Sequence, residues 1–531
     1  MFPRIFKHKM SFFRLFCVRG AETSRTACPL QKAFGLPAAL MIALPARGKE
    51  VSACIFTVFR YIISVYLRNT NPHMKGFDMF LGQDYLIGNE AGKRIFASVK
   101  GLPILDPHNH ADVAAIARNE NFKDAWELFA ATDHYVWEVL RKAGVPEEKI
   151  TGGASPHDKF ISMAEVFDRI AGNPVYEWIH LDLRFLGVTE LLGPETGELI
   201  WRKVNEILAK EESRPQALLK RMNVGVMCST DDPADTLEDH RAVNRSFGRI
   251  VVRPTWRPDM AMKAGKPGFP AYVERLGKRW GARISTLDEL LDVLRKSHDF
   301  FAENGCRASD HGLELASSGT GDGRAAAETF EKALAGEAVS QEEVANYADY
   351  LLGEFGEMNS RSGWVMQLHI GAVRDVRDSL FRSIGPDSGG DVSDIFQSHE
   401  ANLIRFLNRF DGRLKIVLYC LDQGHQATLA ALSRAFGSTV RLGSAWWLCD
   451  TPIGMKRQLE YIGSVDLLSA FAGMVSDSRK LLSYGSRFEM FRRILSSTLG
   501  GMVEAGQMPE PAAMKLAKTM CYDGPLAFFG L

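Results

Sequence analysis

The sequence predicts an α/β fold, namely a (β/α)8 TIM-type barrel with a helical insertion after strand 1. Eight short apolar segments with the composition of strands follow one another along the chain, and helical patterns separate them. No antiparallel pattern appears at either end of this series, which favours a closed parallel barrel over an open sheet. Polar residues gather at the C-terminal ends of the predicted strands, which is where barrels of this class carry their functional sites.

The first 73 residues differ in composition from the rest, and we predict an atypical N-terminal extension that is not part of the fold. Residues 1–73 hold 11 Lys and Arg residues but only two acidic ones, Glu22 and Glu50. Their apolar patches are shorter than the roughly 18 to 20 residues of a membrane span. A targeting peptide matches only loosely, because no sharp cleavage site follows. We expect the natural start at Met74 or Met79, with the barrel formed by residues 74–531.

Overall composition narrows the possible partners and compartment. The 531 residues carry 64 basic and 64 acidic side chains, so the total charge suggests neither a nucleic-acid partner nor an anionic membrane. The eight cysteines form no CxxC pair, so neither a disulfide framework nor a thiolate zinc site is indicated. We therefore expect a cytoplasmic protein.

The first predicted strand starts at Leu102 and runs into His108-Asn109-His110. Alternate residues of an extended chain point the same way, so both imidazoles would reach one site. The alternative is a pair of surface histidines in a turn next to Pro107. A mostly helical insertion of about residues 112–222 follows, and it is expected to cover part of the barrel mouth. Its helical patterns are at 124–143, 158–171 and 198–210.

Strands and helices alternate more tightly after the insertion. The other predicted strands are 224–229, 250–253, 306–311, 365–369, 414–420, 440–447 and 471–476. The other predicted helices are 80–98, 233–246, 287–303, 341–355, 394–410, 425–436, 454–463 and 488–505. A hydrophilic, Gly-rich loop is expected before the helix at 341–355. In the helix at 394–410, Phe396, Leu403 and Phe410 fall on one stripe, as in a helix packed on a sheet.

Barrel closure would bring Asp477, after the eighth strand, next to His108 and His110. Two imidazoles and a carboxylate suit a divalent metal with open coordination positions, and Zn2+ is the best match. Asp310 and His369, after the fourth and fifth strands, would face the same cavity. Each has an ordinary structural alternative: Asp477 could cap a loop, Asp310 could form a salt bridge, and His369 could be a hydrogen-bonded core histidine.

Arginines and a tryptophan complete the predicted rim. Arg257, Arg374 and Arg479 follow the third, fifth and eighth strands, and a guanidinium is suited to bidentate binding of a carboxylate. Trp446 lies at the end of the seventh strand. For Arg257, a structural ion pair is the alternative.

Several motifs occur in order along the chain. They are Ala131-Thr132-Asp133-His134-Tyr135, Ser229-Thr230-Asp231-Asp232-Pro233, Trp256-Arg257-Pro258-Asp259, Gly305-Cys306-Arg307 with Ser309-Asp310-His311-Gly312, Met366-Gln367-Leu368-His369-Ile370-Gly371, Gly443-Ser444-Ala445-Trp446-Trp447 and Ser476-Asp477-Ser478-Arg479. Together they resemble the uronate isomerase (glucuronate isomerase) family of the amidohydrolase superfamily. The resemblance extends from about residue 79 to the C-terminal region.

The resemblance implies an aldose–ketose isomerase that interconverts D-glucuronate with D-fructuronate and D-galacturonate with D-tagaturonate. By position, the implied metal ligands are His108, His110 and Asp477. The implied substrate-pocket residues are Arg479, Arg374, His369, Trp446 and Asp310. His134 and Tyr135 match a loop that reaches over the substrate. The chain has His-Asn-His-Ala-Asp where the family more often has His-Cys-His-Leu, which leaves its substrate preference open.

Isomerisation needs a base for the C2 proton, a group that returns a proton at C1, and electrophilic help for the oxygens. The candidate proton carriers are Asp477, Tyr135 and a metal-bound water, with His134 in support. Tyr135 could instead cap an apolar surface. Two other functions stay open: a metal-dependent hydrolase of the same superfamily, and a non-catalytic sugar-acid-binding barrel. We expect a small-molecule uronate as the substrate and a homo-oligomeric assembly.

Overall fold

The computed structural model describes residues 80–248, 250–393 and 398–531. Residues 81–531 form one compact unit. The predicted extension at residues 1–73 lies outside the described residues, as does the first part of the helix predicted at 394–410.

The described strands form two parallel sheets and one antiparallel pair. The first sheet has the order β1 (Ile104–Asp106), β2 (Val224–Cys228), β3 (Val251–Arg253). The second has the order β4 (Ala308–Leu313), β5 (Val365–Ile370), β8 (Lys415–Cys420), β9 (Val440–Leu442). The antiparallel pair joins β6 (Ala372–Val373) to β7 (Val392–Ser393). Parallel sheets joined through helices confirm the predicted α/β class.

The α-helices of the described part lie between and around these strands. In order they are α1 (Glu90–Val99), α2 (Val113–Arg118), α3 (Ala125–Phe129), α4 (His134–Lys142), α5 (Pro156–Val166), α6 (Pro174–Leu186), α7 (Gly197–Leu208), α8 (Pro215–Arg221), α9 (Glu238–Ser246), α10 (Phe269–Trp280), α11 (Leu287–Glu303), α12 (Gly323–Leu334), α13 (Gln341–Ser362), α14 (Asp378–Ile384), α15 (Glu400–Arg409), α16 (Gln426–Ala435), α17 (Pro452–Val465), α18 (Ser483–Glu504), α19 (Glu510–Lys518) and α20 (Gly524–Phe529).

Local sequence chemistry explains where many of these elements begin. A capping box of Thr286 and Glu289 starts α11, and Ser340 and Glu343 form another at the start of α13. Every residue of β5 is buried, as expected for a parallel strand covered on both faces. The long predicted insertion is present as helices α2 to α8 between β1 and β2.

Isolated backbone bridges connect the first sheet to the second. Trp256 makes one parallel bridge to Asp231, after β2, and another to Ser309 on β4. The Trp256 side chain is fully buried, and its indole Nε1 donates to Ser297 Oγ at 3.1 Å. Beyond β3, the chain therefore continues as two isolated bridges at Trp256 rather than as a regular strand.

The segment 471–476, predicted as strand eight, is not a regular strand, so this prediction was wrong in detail. Gly473 has a φ of +109° and Asp477 a φ of +45°, and neither value fits an extended ladder. The segment still contacts both neighbours: Ala472 N donates to Leu442 O at 3.0 Å, and Asp477 N donates to His108 O at 3.2 Å.

Other boundaries also differ from the predictions. The strand predicted at 440–447 ends at Leu442, and the positive φ angles of Trp446 and Trp447 show that the end of the predicted segment is not extended. The helix predicted at 124–143 is divided into α3 and α4, because Asp133 caps a new helix. The loop predicted before residue 341 contains α12. None of the described helices combines the length and apolar character that a bilayer crossing requires.

Candidate active site

The site is built around the histidines that follow β1. His108 Nε2 lies 3.0 Å from Asp477 Oδ1, and His110 Nε2 lies 3.1 Å from the same oxygen. The His108 side chain is 2% exposed and that of His110 is 27% exposed, so the pair extends from the interior towards solvent. The structure thus brings together the three predicted metal ligands, which are distant in sequence.

Hydrogen bonds around β1 hold the His-Asn-His turn in place. Asp106, the last residue of β1, accepts from Ser476 N at 3.0 Å and from Ser476 Oγ at 2.5 Å. The Asn109 side chain donates to Cys228 O of β2 at 2.8 Å and accepts from Ala111 N at 3.1 Å. The asparagine between the two histidines therefore points towards β2, and the imidazoles are left to face the cavity.

A second group of polar residues lies on β4 and β5 beside His108. His369 Nδ1 lies 2.6 Å from Asp310 Oδ1, and His108 Nδ1 lies 3.8 Å from the same oxygen. Arg257 Nη1 pairs with Asp310 Oδ2 at 3.1 Å, and its Nε donates to Asp259 Oδ2 at 2.9 Å. Asp310 therefore connects the predicted substrate-pocket residues to the histidine pair.

Aromatic rings close one side of this cluster. Trp446 Nε1 donates to Asp477 Oδ2 at 2.7 Å, so both oxygens of that carboxylate are engaged. The His369 ring lies between Trp446 and Tyr419, with ring centroids 4.7 Å and 4.3 Å away. Tyr419 in turn donates to Gln367 Oε1 at 2.9 Å.

The site has a strongly polarised charge distribution. Burial opposes ionisation of Asp477, but its contacts with His108 and His110 hold its pKa well below the usual range. Burial likewise opposes ionisation of Asp310, but Arg257 and the neighbouring histidines lower its pKa well below the usual range. Burial lowers the pKa of His369 to about 4. The cavity therefore contains two buried carboxylates that stay charged at neutral pH.

Two arginines stand at the exposed rim. Arg479 Nη2 lies 3.1 Å from Asp387 Oδ2, and Arg374 Nη1 lies 3.9 Å from Asp387 Oδ1. Arg374 also pairs with Asp391 at 3.1 Å, and its guanidinium carbon lies 4.4 Å from the Trp447 ring centroid. Arg374 and Arg479 thus face one common carboxylate, whereas Arg257, the third arginine predicted at the rim, pairs with Asp259 and Asp310.

His134 and Tyr135 lie at the start of α4 and reach the site through Trp447. Their rings stack with centroids 4.6 Å apart, and the His134 ring lies edge-on to Trp447 at 5.5 Å. His134 Nε2 is buried without a hydrogen-bond partner among the described residues. Burial raises the Tyr135 pKa well above its usual range, so the phenol keeps its proton.

The donor set fits a divalent metal ion. Ligand atoms of His108, His110 and Asp477 lie within 4.8 Å of one another, and so do those of His108, Asp310 and His369. Two atoms each about 2.1 Å from one ion lie roughly 3 to 3.5 Å apart, close to the contacts around Asp477. His108 Nδ1 and His369 Nε2 are also buried without a hydrogen-bond partner among the described residues. Imidazole and carboxylate together match a borderline divalent metal.

Sequence reasoning did not select several residues of this site. Asp259 follows Arg257 by two positions, and its pairing with that arginine could have been suspected from the motif. Asp387 lies in a Gly- and Pro-containing loop with no pattern that indicates a role. Tyr419 and Gln367 occupy buried strand positions. A polar side chain is unusual in a buried strand, and this feature of the sequence could have indicated a site residue.

These features define an α/β protein with a buried His/Asp site suited to a divalent metal. A model of the glucuronate isomerase family matches residues 77–529. A uronate isomerase of Thermotoga maritima is 51% identical over 452 residues, which cover 85% of this chain and all of the relative. A crystal structure of uronate isomerase from the same organism superposes with a TM-score of 0.83, covers 85% of this chain and all of its own, and is also 51% identical.

A crystal structure of glucuronate isomerase from Caulobacter crescentus is 28% identical, with a TM-score of 0.80, and covers 84% of this chain and 96% of its own. The chain belongs to the glucuronate isomerase family. The resemblance predicted from the motifs is confirmed, and so is the predicted activity class, that of a uronate isomerase.

Proposed function

We propose that this protein isomerises D-glucuronate to D-fructuronate and D-galacturonate to D-tagaturonate. The observation that carries the proposal is the position of Asp477, which joins the His108/His110 pair while Arg479, two residues later, stands at the rim. An anionic sugar bound by its carboxylate at the rim would extend its reacting carbons towards the buried cluster. The family membership supports the same reaction.

The fold proposed to carry this site is a closed (β/α)8 barrel formed by residues 74–531. Two sets of contacts support closure. Trp256 bridges the first sheet to the second, and the 471–478 segment bonds to Leu442 on one side and to His108 and His110 on the other. Closure places the ends of all parallel strands around one mouth, which explains how residues far apart in sequence share a site.

The proposed metal ligands are His108, His110 and Asp477, and the proposed ion is Zn2+. When bound, such an ion would polarise the substrate oxygens and stabilise the negative charge of an enediolate. The two ionised carboxylates, Asp477 and Asp310, give the cavity the negative charge that favours a cation. His369 and Trp446 fix these carboxylates through hydrogen bonds.

The proposed substrate contacts divide between rim and interior. Arg479 and Arg374 bind the carboxylate, because both guanidinium groups already face a carboxylate at Asp387. Deeper in the site, the substrate hydroxyl groups and carbonyl would meet Arg257, Asp310, His369 and Trp446.

Proton transfer is assigned to Asp477, Tyr135 and His134. The reaction removes the C2 proton, adds a proton at C1 and moves the C2 hydroxyl proton to the C1 oxygen, with no net gain or loss of atoms. Asp477 is ionised at neutral pH and can accept a proton at a carboxylate oxygen. Tyr135 is protonated and can donate from Oη, and His134 stacks on its ring.

We also propose a cytoplasmic location and a homo-oligomeric assembly. The described cysteines, at positions 228, 306, 420, 449 and 521, are free and buried, as in a reducing compartment. Size-exclusion chromatography with light scattering would test the assembly, and a monomeric mass would contradict it.

The experiment that tests the function is incubation of the purified protein with glucuronate and with galacturonate, followed by detection of the ketouronates. A parallel sample is treated with a chelator and then resupplied with Zn2+. We expect loss and recovery of ketouronate formation. Hydrolysis of model amides or esters without any isomerisation would contradict the proposal. Activity that survives complete metal removal would contradict the metal assignment.

A further inference from the structure

A buried lysine connects the loop that carries Asp477 to the helical insertion. Lys480 Nζ lies 3.0 Å from Asp182 Oδ2 and 3.5 Å from Asp133 Oδ2. The three side chains are 2%, 1% and 4% exposed. A cation at this depth is stable only when it is paired, and these two carboxylates supply the pairing.

The two carboxylates belong to different helices. Asp133 is the N-cap of α4, and its Oδ1 accepts from Tyr135 N at 3.0 Å. The first two residues of that helix are His134 and Tyr135. Asp182 lies in α6, and none of the predicted site residues belongs to that helix. Lys480 therefore contacts one helix that bears site residues and one that does not.

The loop side of this link is equally well fixed. Ser478 Oγ accepts from Lys480 N at 3.1 Å and donates to Lys480 O at 3.2 Å, which holds the turn between Asp477 and Lys480. Arg479, between these residues, points instead towards Asp387 at the rim. A shift of the lysine would therefore be transmitted along the backbone to Asp477 and Arg479.

We propose that Lys480 is a positioning residue that fixes the distance between Asp477 and the start of α4. It acts through Asp133, whose carboxylate both caps α4 and pairs with the lysine. Asp182 contributes the second negative charge that compensates the charge of the buried lysine. The proposal deepens the proposed function and rests on it, because it assumes that His134 and Tyr135 act on the same substrate as Asp477.

The geometric need for such a link follows from the chain path. His134 and Tyr135 belong to the insertion between β1 and β2, whereas Asp477 lies more than 340 positions later. Small displacements matter, because an error of about 1 Å between reacting groups can cost roughly 100-fold in rate. Attraction between opposite charges is strong in a dry, low-dielectric environment, so this ion pair opposes such displacement.

Two isosteric variants separate this role from general stability. Asp133→Asn keeps the helix cap, because asparagine is an equally good N-cap, but removes the charge that pairs with Lys480. Asp182→Asn removes the other partner and leaves the link to α4. We expect kcat to fall about tenfold or more in Asp133→Asn, with KM changed less than threefold and the metal content unchanged. We expect Asp182→Asn to retain kcat within about twofold although its thermal midpoint falls.

Lys480→Arg and Lys480→Met are the two further variants. We expect Lys480→Met to lose activity and Lys480→Arg, which keeps the positive charge, to retain part of it. Amide hydrogen exchange of residues 134–142, measured on the same proteins, should accelerate in Asp133→Asn and not in Asp182→Asn. Equal kcat losses in the two aspartate variants would overturn the proposal, and so would unchanged exchange in Asp133→Asn. If Lys480→Met does not fold, the comparison of Asp133→Asn with Asp182→Asn still tests the proposal. An inactive wild type would refute the proposed function, whereas the exchange data would still report on the link.

Discussion

At the residue scale, Asp477 is the side chain on which the site's contacts converge. One oxygen meets both histidines and the other accepts from Trp446. Asp477, Trp446 and Trp447 all have positive φ angles, at 45°, 64° and 41°. Non-glycine residues in this region cost on the order of 1–3 kcal/mol each and persist where surrounding contacts hold them. The strained backbone therefore coincides with the proposed reaction centre.

Asp477→Asn keeps the shape of this side chain and removes its charge. We expect turnover to fall at least about 100-fold, because a principal catalytic or ligand carboxylate is lost. Bound metal per chain, measured by elemental analysis, should fall as well. The far-ultraviolet circular dichroism spectrum should stay unchanged. Wild-type activity in this variant would contradict the site assignment.

Trp446→Phe tests the hydrogen bond that holds the second oxygen of Asp477. The ring is retained, and only the Nε1 donor at 2.7 Å is removed. A hydrogen bond to a charged group contributes about 1.5–3 kcal/mol, so we expect kcat to fall roughly tenfold. Steady-state kinetics on glucuronate would measure this. An unchanged kcat would mean that the indole only packs against His369.

At the element scale, the chain between β6 and β7 brings a carboxylate to the rim arginines. Asp387 belongs to the segment that connects β6 to β7, and it lies near both Arg479 and Arg374. Burial opposes ionisation of Asp387, but Arg479 lowers its pKa. Arg141 of α4 donates to Ser388 O at 2.7 Å, which holds the connection against the insertion. A substrate carboxylate bound by the same arginines would have to displace Asp387.

Asp387→Asn removes this internal competitor. We expect KM for glucuronate to fall by about two- to fivefold, with kcat little changed. This change in KM corresponds to the free energy that a partly exposed ion pair typically contributes. Asp378→Asn is the matched control, because Asp378 lies in the same connection and pairs only at the surface with Arg382. A higher KM in Asp387→Asn would show that the carboxylate orients the arginines instead of competing with the substrate.

Elements with a strong local signal were the most predictable from sequence. The capping boxes and apolar stripes of α11 and α13 lie within a short window of sequence, and so does the apolar run of β5. The segment at 471–476 was misjudged, because its apolar residues report burial but not the backbone angle of Gly473. The β6–β7 pair was not predicted, since two-residue strands leave no periodic pattern.

At the scale of the whole molecule, buried neutral histidines link stability to pH. The His298 ring stacks on Trp364 with centroids 3.8 Å apart, and its Nε2 lies 3.2 Å from Asn359 Oδ1. Burial lowers the His298 pKa to about 4, from 6.5 in an unfolded chain. Between pH 4 and 6.5 the unfolded state binds the extra proton, so this group contributes stability that rises with pH across that window.

His298→Gln removes this proton linkage. Between pH 7 and pH 5 we expect the wild type to lose on the order of 2 kcal/mol more unfolding free energy than the variant, because His298 is protonated mainly in the unfolded chain. Urea denaturation at the two pH values would measure the difference. Identical pH dependence in the two proteins would mean that His298 is not buried in its neutral form.

The sequence by itself determined the α/β class, the family and most of the candidate site. Periodic burial and ordered motifs are local properties, and the expected closure already paired Asp477 with the histidines that follow β1. The tertiary structure decided which groups face one another at the rim and in the interior. Asp387 between two arginines and Lys480 between two helices have no local signature, because the partners of a buried or rim charge are chosen by three-dimensional proximity. The same reason explains why the insertion could be recognised as helical from sequence, while its contact with the Asp477 loop could not.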